Sequence, residues 1–176
     1  MHVGAKKIAT AGLLVSFSVI LVVMSSVIET SSLFFIAAGS FCVGISIREW
    51  GLRFGFGFLL ASVILNFMLA PNKMYCITFA AMGIYIWASE FWWEHLAKSV
   101  HTKNRMLKLW IGKYLCFNIM YIPTVLFLPT LIYAGKINGW IIFALLVVGQ
   151  VALLIFDIAY RTFQSQIWGR LRTRFL

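Results

Sequence analysis

Charged side chains are scarce in this sequence, and their scarcity excludes a soluble globular domain. Only 11% of the 176 residues are charged, whereas 62% are hydrophobic. A soluble domain has about 25% charged residues, which hydrate its surface. The mean hydropathy is +0.93. The composition therefore predicts a protein whose solvent is the lipid bilayer.

Cysteine and histidine are also sparse, which leaves little material for a metal centre or a catalytic site. The three cysteines, Cys42, Cys76 and Cys116, are isolated within apolar stretches, as small buried hydrophobic residues are. No nucleophile and base recur at a known spacing, and there is no phosphate-binding glycine loop or HExxH sequence. We therefore expect no enzymatic activity, no bound metal and no cofactor.

Long apolar runs make up most of the chain and predict an all-α integral membrane protein with six transmembrane helices. A span needs roughly 20 apolar residues to cross the hydrocarbon core. The spans are predicted at about residues 8–28, 33–47, 54–70, 74–96, 109–134 and 140–160. The second is short for a bilayer, which favours either a thinned bilayer or a longer helix capped by Thr30, Ser31 or Ser32. Pro123 and Pro129 predict a kinked or broken fifth helix.

The basic residues are distributed unequally between the two sides that these spans define. Of the fifteen Lys and Arg residues, all but Lys73 and Lys136 fall on one side. Basic residues in short loops stay in the cytoplasm, so the pattern predicts a multi-pass protein of the cell membrane with both termini cytoplasmic. We expect residues 1–176 to form a single membrane domain. The net charge of +10 is expected to attract anionic lipids and not nucleic acid, because the cations lie at span ends.

Several polar residues fall in the predicted outer half of different spans and form a candidate substrate site. Such a group could hydrogen-bond a small polar solute within a mostly apolar pocket. Each could instead face water or hold helices together. The candidate substrate-binding residues are Glu29, Asn66, Asn72, Tyr75 and Asn138.

Other ionisable and amide residues have simpler interpretations. Asp157 and Arg161 lie four residues apart on one helix face, the spacing of an ion pair. Glu90 and Glu94 have the same spacing at the predicted inner end of the fourth span and favour an interfacial stripe. Interhelical hydrogen bonds are the favoured role of the two amides within the last two spans, Asn118 and Gln150.

Small residues recur along one face of the first span. Ala5, Ala9, Gly12 and Ser16 follow the helical period, and small residues let a second helix approach closely in lipid. We interpret this small-residue stripe either as a packing surface within the chain or as a docking surface for a partner helix.

The stripe, the basic start, the six spans and the predicted orientation together resemble the substrate-binding (S) components of energy-coupling factor transporters. The segment Ala5-Lys6-Lys7-Ile8-Ala9 matches the family's Ala-x-x-x-Ala pattern on the first helix. The resemblance implies that this helix meets a membrane coupling subunit that works with ATPases. It also implies that a micronutrient binds near the outer loops, here residues 29–32, 71–73 and 135–139. The sequence has no signature for riboflavin, thiamine, biotin, folate or a metal ion, so the solute is not specified.

Two functions follow from these patterns. The first is a substrate-capture subunit of a transporter for a small polar micronutrient, without its own ATPase. The second is a structural or regulatory membrane protein that contacts lipid or a partner at its cytoplasmic face through Glu90, Glu94, His95 and the basic tail.

Overall fold

The protein is all-helical, and a computed structural model describes its residues 4–98, 105–127 and 138–170. The helices are α1 (Ala5–Val27), α2 (Ser32–Trp50), α3 (Leu52–Leu69), α4 (Lys73–Lys98), α5 (Arg105–Phe127) and α6 (Gly139–Thr162). A 3-10 turn, Glu29–Ser31, precedes α2, and a π-helical segment, Phe163–Trp168, continues α6. Within the described residues, six helices are long and apolar enough to cross a membrane. The chain is thus a multi-pass membrane protein, as predicted.

The helices differ in their bounds from the predicted spans. α2 has 19 residues and begins at Ser32, so the longer helix is the correct alternative. Its N-cap residue is Ser31, whose side chain makes no capping hydrogen bond. α5 continues through Pro123 to Phe127, so it does not end at this proline. The remainder of the predicted fifth span, with Pro129, lies outside the described residues.

Residue contacts divide the chain into two compact units, Met1–His95 and Leu96–Leu176. In the first unit, α1, α2 and α3 all contact one another. α2 and α4 run in the same direction, because Arg48 pairs with Glu90 at one end and Gly39 lies near Phe79 towards the other. The α1–α2 and α3–α4 connections therefore share one end of this unit. We call it the predicted outer end.

Glycines allow the helices of the first unit to approach closely. A methyl group added at Gly39 would lie 3.2 Å from the carbonyl oxygen of Ser18 and 3.6 Å from the ring of Phe79. Such a group at Gly55 would overlap Ile47, and at Gly83 it would overlap Leu59. Small residues at these contacts allow the close backbone packing that holds helices together in lipid.

A single residue, Gly51, connects α2 to α3. Its φ of +90° lies in the region that only glycine adopts without strain. The predicted inner turn at residues 48–53 is therefore much shorter than expected. Arg48 to Trp50 are still helical, and the chain reverses at Gly51.

The second unit contains α5 and α6, which pack as an antiparallel pair joined by three polar contacts. Lys113 pairs with Asp157, Asn118 accepts from Gln150, and the Tyr121 hydroxyl donates to the Leu145 carbonyl at 2.8 Å. The residue numbers rise on one helix as they fall on the other. Gly149 lies against the Tyr121 ring, where any side chain would overlap it.

Candidate functional site

Most buried serines in the first unit satisfy their hydroxyl groups within the bundle. Ser25, Ser40 and Ser46 each donate to the carbonyl three residues earlier on their own helix, at 2.6 to 2.7 Å. Ser18 donates across to the Gly39 carbonyl at 3.1 Å. Without water in the bilayer core, this internal pairing is the expected arrangement.

Among the described residues of the first unit, four side chains have buried polar atoms without a hydrogen-bond partner: Ser26, Ser62, Asn66 and Ser89. Asn66 on α3 is the amide among them. Its side chain is fully buried, with 0% exposure. Neither its amide nitrogen nor its amide oxygen has a hydrogen-bond partner in the part of the chain that the structure describes. The hydroxyl of Ser62, one turn earlier and also at 0% exposure, is unpaired in the same way. Two neighbouring side chains thus hold three unsatisfied polar atoms.

The buried face of α3 that carries these residues faces α2 and α4. Gly55 and Leu59 precede Ser62 and Asn66 on this face at helical spacing. Gly55 packs on α2, and Leu59 packs on Gly83 of α4. Asn66 is in the last turn of α3 and its carbonyl accepts from Ala70 at 2.8 Å. The unsatisfied amide therefore lies between helices near the predicted outer end.

The unsatisfied amide of Asn66 lowers the stability of the fold, and its free donors and acceptor can bind a ligand. An unpaired buried donor or acceptor costs about 1–3 kcal/mol. The Asn66 amide offers two N–H donors and a carbonyl acceptor, while the Ser62 hydroxyl can donate and accept. A solute with a donor and an acceptor on one edge would satisfy both functions of the amide. The arrangement is chemically suited to hydrogen bonding and contains no charged side chain of its own.

The structure places three other predicted site residues at the same end of the first unit. Asn72 is exposed and directly precedes α4. Its side-chain oxygen accepts a hydrogen bond of 3.0 Å from the backbone N–H of Met74, in the first turn of α4. Tyr75 is half-buried in the first turn of α4, and Glu29 is exposed at the start of the 3-10 turn. Asn66, Asn72 and Tyr75 therefore flank the α3–α4 corner, and Glu29 lies on the α1–α2 connection.

The fifth predicted site residue, Asn138, belongs to the second unit. It is exposed and caps α6, accepting from the Gly139 backbone at 2.9 Å. Side chains of this type favour helix N-termini because they satisfy a free backbone donor. The contact observed for Asn138 thus stabilises the start of α6.

Lys73 stabilises the α3–α4 corner. Its ammonium donates to the Phe67 carbonyl and, at 3.2 Å, to the Ala70 carbonyl. It also lies 5.0 Å from the centre of the Phe67 ring. A cation at the carboxyl end of a helix satisfies carbonyls that lack a backbone partner. Lys73 therefore holds the loop next to Asn66 in place.

A buried ion cluster connects the two helices of the second unit. Asp157, with a side chain only 1% exposed, pairs with Lys113 on α5 and with Arg161 one turn later, at 2.7 Å. The predicted pair of Asp157 and Arg161 is confirmed. Sequence reasoning missed Lys113 as a partner, although a lysine inside an apolar span at a depth matching Asp157 was a usable signal.

The structure also shows the contacts of the two amides and of the two glutamates that the sequence analysis interpreted. The Gln150 amide donates to the Asn118 side-chain oxygen at 2.8 Å, which confirms the interhelical role predicted for both residues. Glu90 pairs with Arg48 of α2 at 3.1 Å and so joins two helices, while Glu94 is exposed.

The small-residue stripe faces away from the packed core of the first unit. Ala5, Ala9, Gly12 and Ser16 are all exposed. A methyl group added at Gly12 would meet no atom of the described residues within 4 Å. Exposed apolar side chains flank this face of α1, among them Leu13 at 72%.

No metal site accompanies these features. Within residues 4–98, 105–127 and 138–170, no three His, Cys, Asp or Glu side chains lie close enough to hold a metal ion.

Comparison of the chain with protein-family models, with curated proteins and with solved structures finds no significant match.

Proposed function

We propose that this multi-pass membrane protein is the substrate-capture subunit of a transporter for a small polar micronutrient and has no ATPase of its own. The observation that carries the proposal is Asn66, which is fully buried and whose amide nitrogen and oxygen both lack a hydrogen-bond partner among the residues that the structure describes. A cost of about 1–3 kcal/mol per group is hard to explain by packing alone, because an apolar residue of the same shape would avoid it. A bound solute would make those hydrogen bonds.

The surroundings of Asn66 support entry from the predicted outer end. The exposed Asn72, the half-buried Tyr75 and the exposed Glu29 would form the approach to the buried amide. Asn66 itself has no exposure, so the α3–α4 corner would have to move before a solute reached it. The Lys73 contacts that close this corner are few and involve one flexible side chain.

The exposed face of α1 supports a partner in the membrane. A subunit without an ATP-binding motif needs an external source of energy, and the small-residue stripe would contact a coupling subunit that works with ATPases. The resemblance to substrate-binding components of energy-coupling factor transporters points to the same partner. Under this proposal both termini lie in the cytoplasm of a cell-membrane protein.

Native mass spectrometry of the protein, released from its own membrane in mild detergent, tests the substrate site. We expect wild type to carry a small-molecule adduct and the Asn66→Leu variant to lose it. The matched control is Asn118→Leu, which removes a paired asparagine in the other unit and should keep the adduct. An adduct retained in Asn66→Leu would overturn the assignment. So would a wild-type protein that carries no adduct and shows no thermal shift with water-soluble vitamins.

A further inference from the structure

Among the described residues of the second unit, the ion cluster consists of one carboxylate, Asp157, and the two cations that it contacts, Lys113 and Arg161. The Lys113 side chain is almost completely buried, with 10% exposure, and its ammonium group contacts Asp157. The Arg161 side chain is 47% exposed. One carboxylate cannot neutralise two cations, and the accessible surplus charge is on Arg161.

Arg161 is held in place for a second anion. One guanidinium nitrogen lies 2.7 Å from Asp157, and the guanidinium carbon lies 5.0 Å from the centre of the Trp110 ring. Contact with an aromatic face fixes the plane of a guanidinium group. The five N–H donors of arginine suit bidentate binding of a phosphate. A single contact to Asp157 leaves most of these donors available.

An apolar groove begins at the same tryptophan. It is a shallow, open groove on the surface of α5, lined by residues from Trp110 to Pro123, including Leu115 and Ile119. These thirteen helical steps span roughly 20 Å at 1.5 Å per residue. One leaflet of a hydrocarbon core is roughly 15 Å thick, which is half of about 30 Å. A lipid acyl chain therefore fits along the groove.

We propose that the α5–α6 pair binds an anionic phospholipid, with the phosphate on Arg161 and one acyl chain in the α5 groove. The positive charge and the apolar groove meet at Trp110, and tryptophan favours the depth at which headgroups meet acyl chains. Neither a free anion nor an uncharged lipid would use both features. The site does not depend on the transport proposal, since it uses no residue of the first unit.

The test measures lipid binding to the delipidated, detergent-solubilised full chain by native mass spectrometry. Wild type should bind dioleoyl phosphatidylglycerol at least tenfold more tightly than dioleoyl phosphatidylcholine. Arg161→Gln should weaken phosphatidylglycerol binding by about tenfold or more, the range of a charge-assisted hydrogen bond, and Arg161→Lys by less. Lys113 remains paired with Asp157 in both variants, so the fold is expected to survive. Arg53→Gln is the matched control, since it removes an exposed arginine of the first unit.

Two probes separate a lipid from a free anion. Inorganic phosphate and dihexanoyl phosphatidylglycerol share the anionic group but lack long acyl chains, so both should bind more weakly than the dioleoyl lipid. Equal binding of inorganic phosphate would overturn the lipid assignment and show an anion site only. Equal losses in Arg161→Gln and Arg53→Gln would also overturn it, because they would show general charge attraction. Equal binding of the two dioleoyl lipids would overturn the assignment of an anionic lipid, because both carry a phosphate and only phosphatidylglycerol has a net negative charge.

Discussion

At the residue scale, two asparagines show how differently the same type of side chain can contribute to stability. The amide of Asn118 bonds to Gln150, whereas the amide of Asn66 has no partner within the described residues. Leucine has nearly the shape of asparagine but no polar group. Asn66→Leu should therefore raise the free energy of unfolding by about 1–3 kcal/mol for each of the two unsatisfied groups that it removes. Thermal unfolding in one detergent, without added solute, measures the change.

Asn118→Leu should have the opposite sign. It leaves the Gln150 amide without its partner in the apolar interior, and we expect a loss of about 1–3 kcal/mol. Destabilisation by Asn66→Leu to the same extent would mean that its amide makes a hydrogen bond essential to the fold. The amide would then be structural, and the main support for a substrate site would be lost.

Residues that pair within one helix could be predicted from the sequence, and pairs between helices only partly so. The four-residue spacing of Asp157 and Arg161 was sufficient. The amides Asn118 and Gln150 were recognised because a polar group in lipid needs a partner. Lys113 was missed because its partner is 44 residues away. That contact depends on how α5 and α6 are aligned, which no local pattern specifies.

The unpaired state of Asn66 was equally inaccessible from sequence. A lone asparagine in an apolar span indicates a hydrogen bond but not its partner. Whether a partner exists depends on the neighbouring helices, which meet α3 only in the folded unit. The same holds for Asn72 and Asn138, whose polar atoms start α4 and α6. Sequence reasoning grouped these residues by depth, and the structure separates a buried amide from two helix caps.

At the element scale, the helix bounds were predicted to within a few residues, and the error at the end of α2 has a clear cause. The predicted second span ended at residue 47 because Arg48, Glu49 and Trp50 are polar or interfacial. Hydropathy reports where the lipid ends, whereas the helix continues until the backbone must turn. Here Arg48 bonds to Glu90 while still helical, and Gly51 alone makes the turn. Charged residues next to a glycine are thus a poor marker of a helix end.

The exposed face of α1 supplies a prediction about partners at the same scale. Gly12 and Gly57 are both exposed helical glycines with no atom within 4 Å of an added methyl group. Gly12→Leu should leave the fold intact but block close approach of a second helix at the small-residue stripe. Affinity purification in mild detergent should therefore recover a membrane coupling subunit with wild type and much less, by about tenfold, with Gly12→Leu.

Gly57→Leu is the matched control for this experiment. It adds the same side chain to an exposed glycine on α3, away from the stripe, and recovery of the partner should be unchanged. Equal losses in both variants would indicate a general effect on the chain. Full recovery with Gly12→Leu would show that any partner binds elsewhere.

The orientation of the whole molecule follows from charge and is the last prediction. All but two of fifteen Lys and Arg residues lie on one predicted side, which the translocation cost of cations would keep in the cytoplasm. The exposed residues Asn72 and Arg53 lie near opposite ends of α3. In a background without the three native cysteines, Asn72→Cys should react with a membrane-impermeant maleimide on intact cells. Arg53→Cys should react only after permeabilisation. The reverse pattern would place Asn66 near the cytoplasmic face, and a site that captures solutes from outside could not be there.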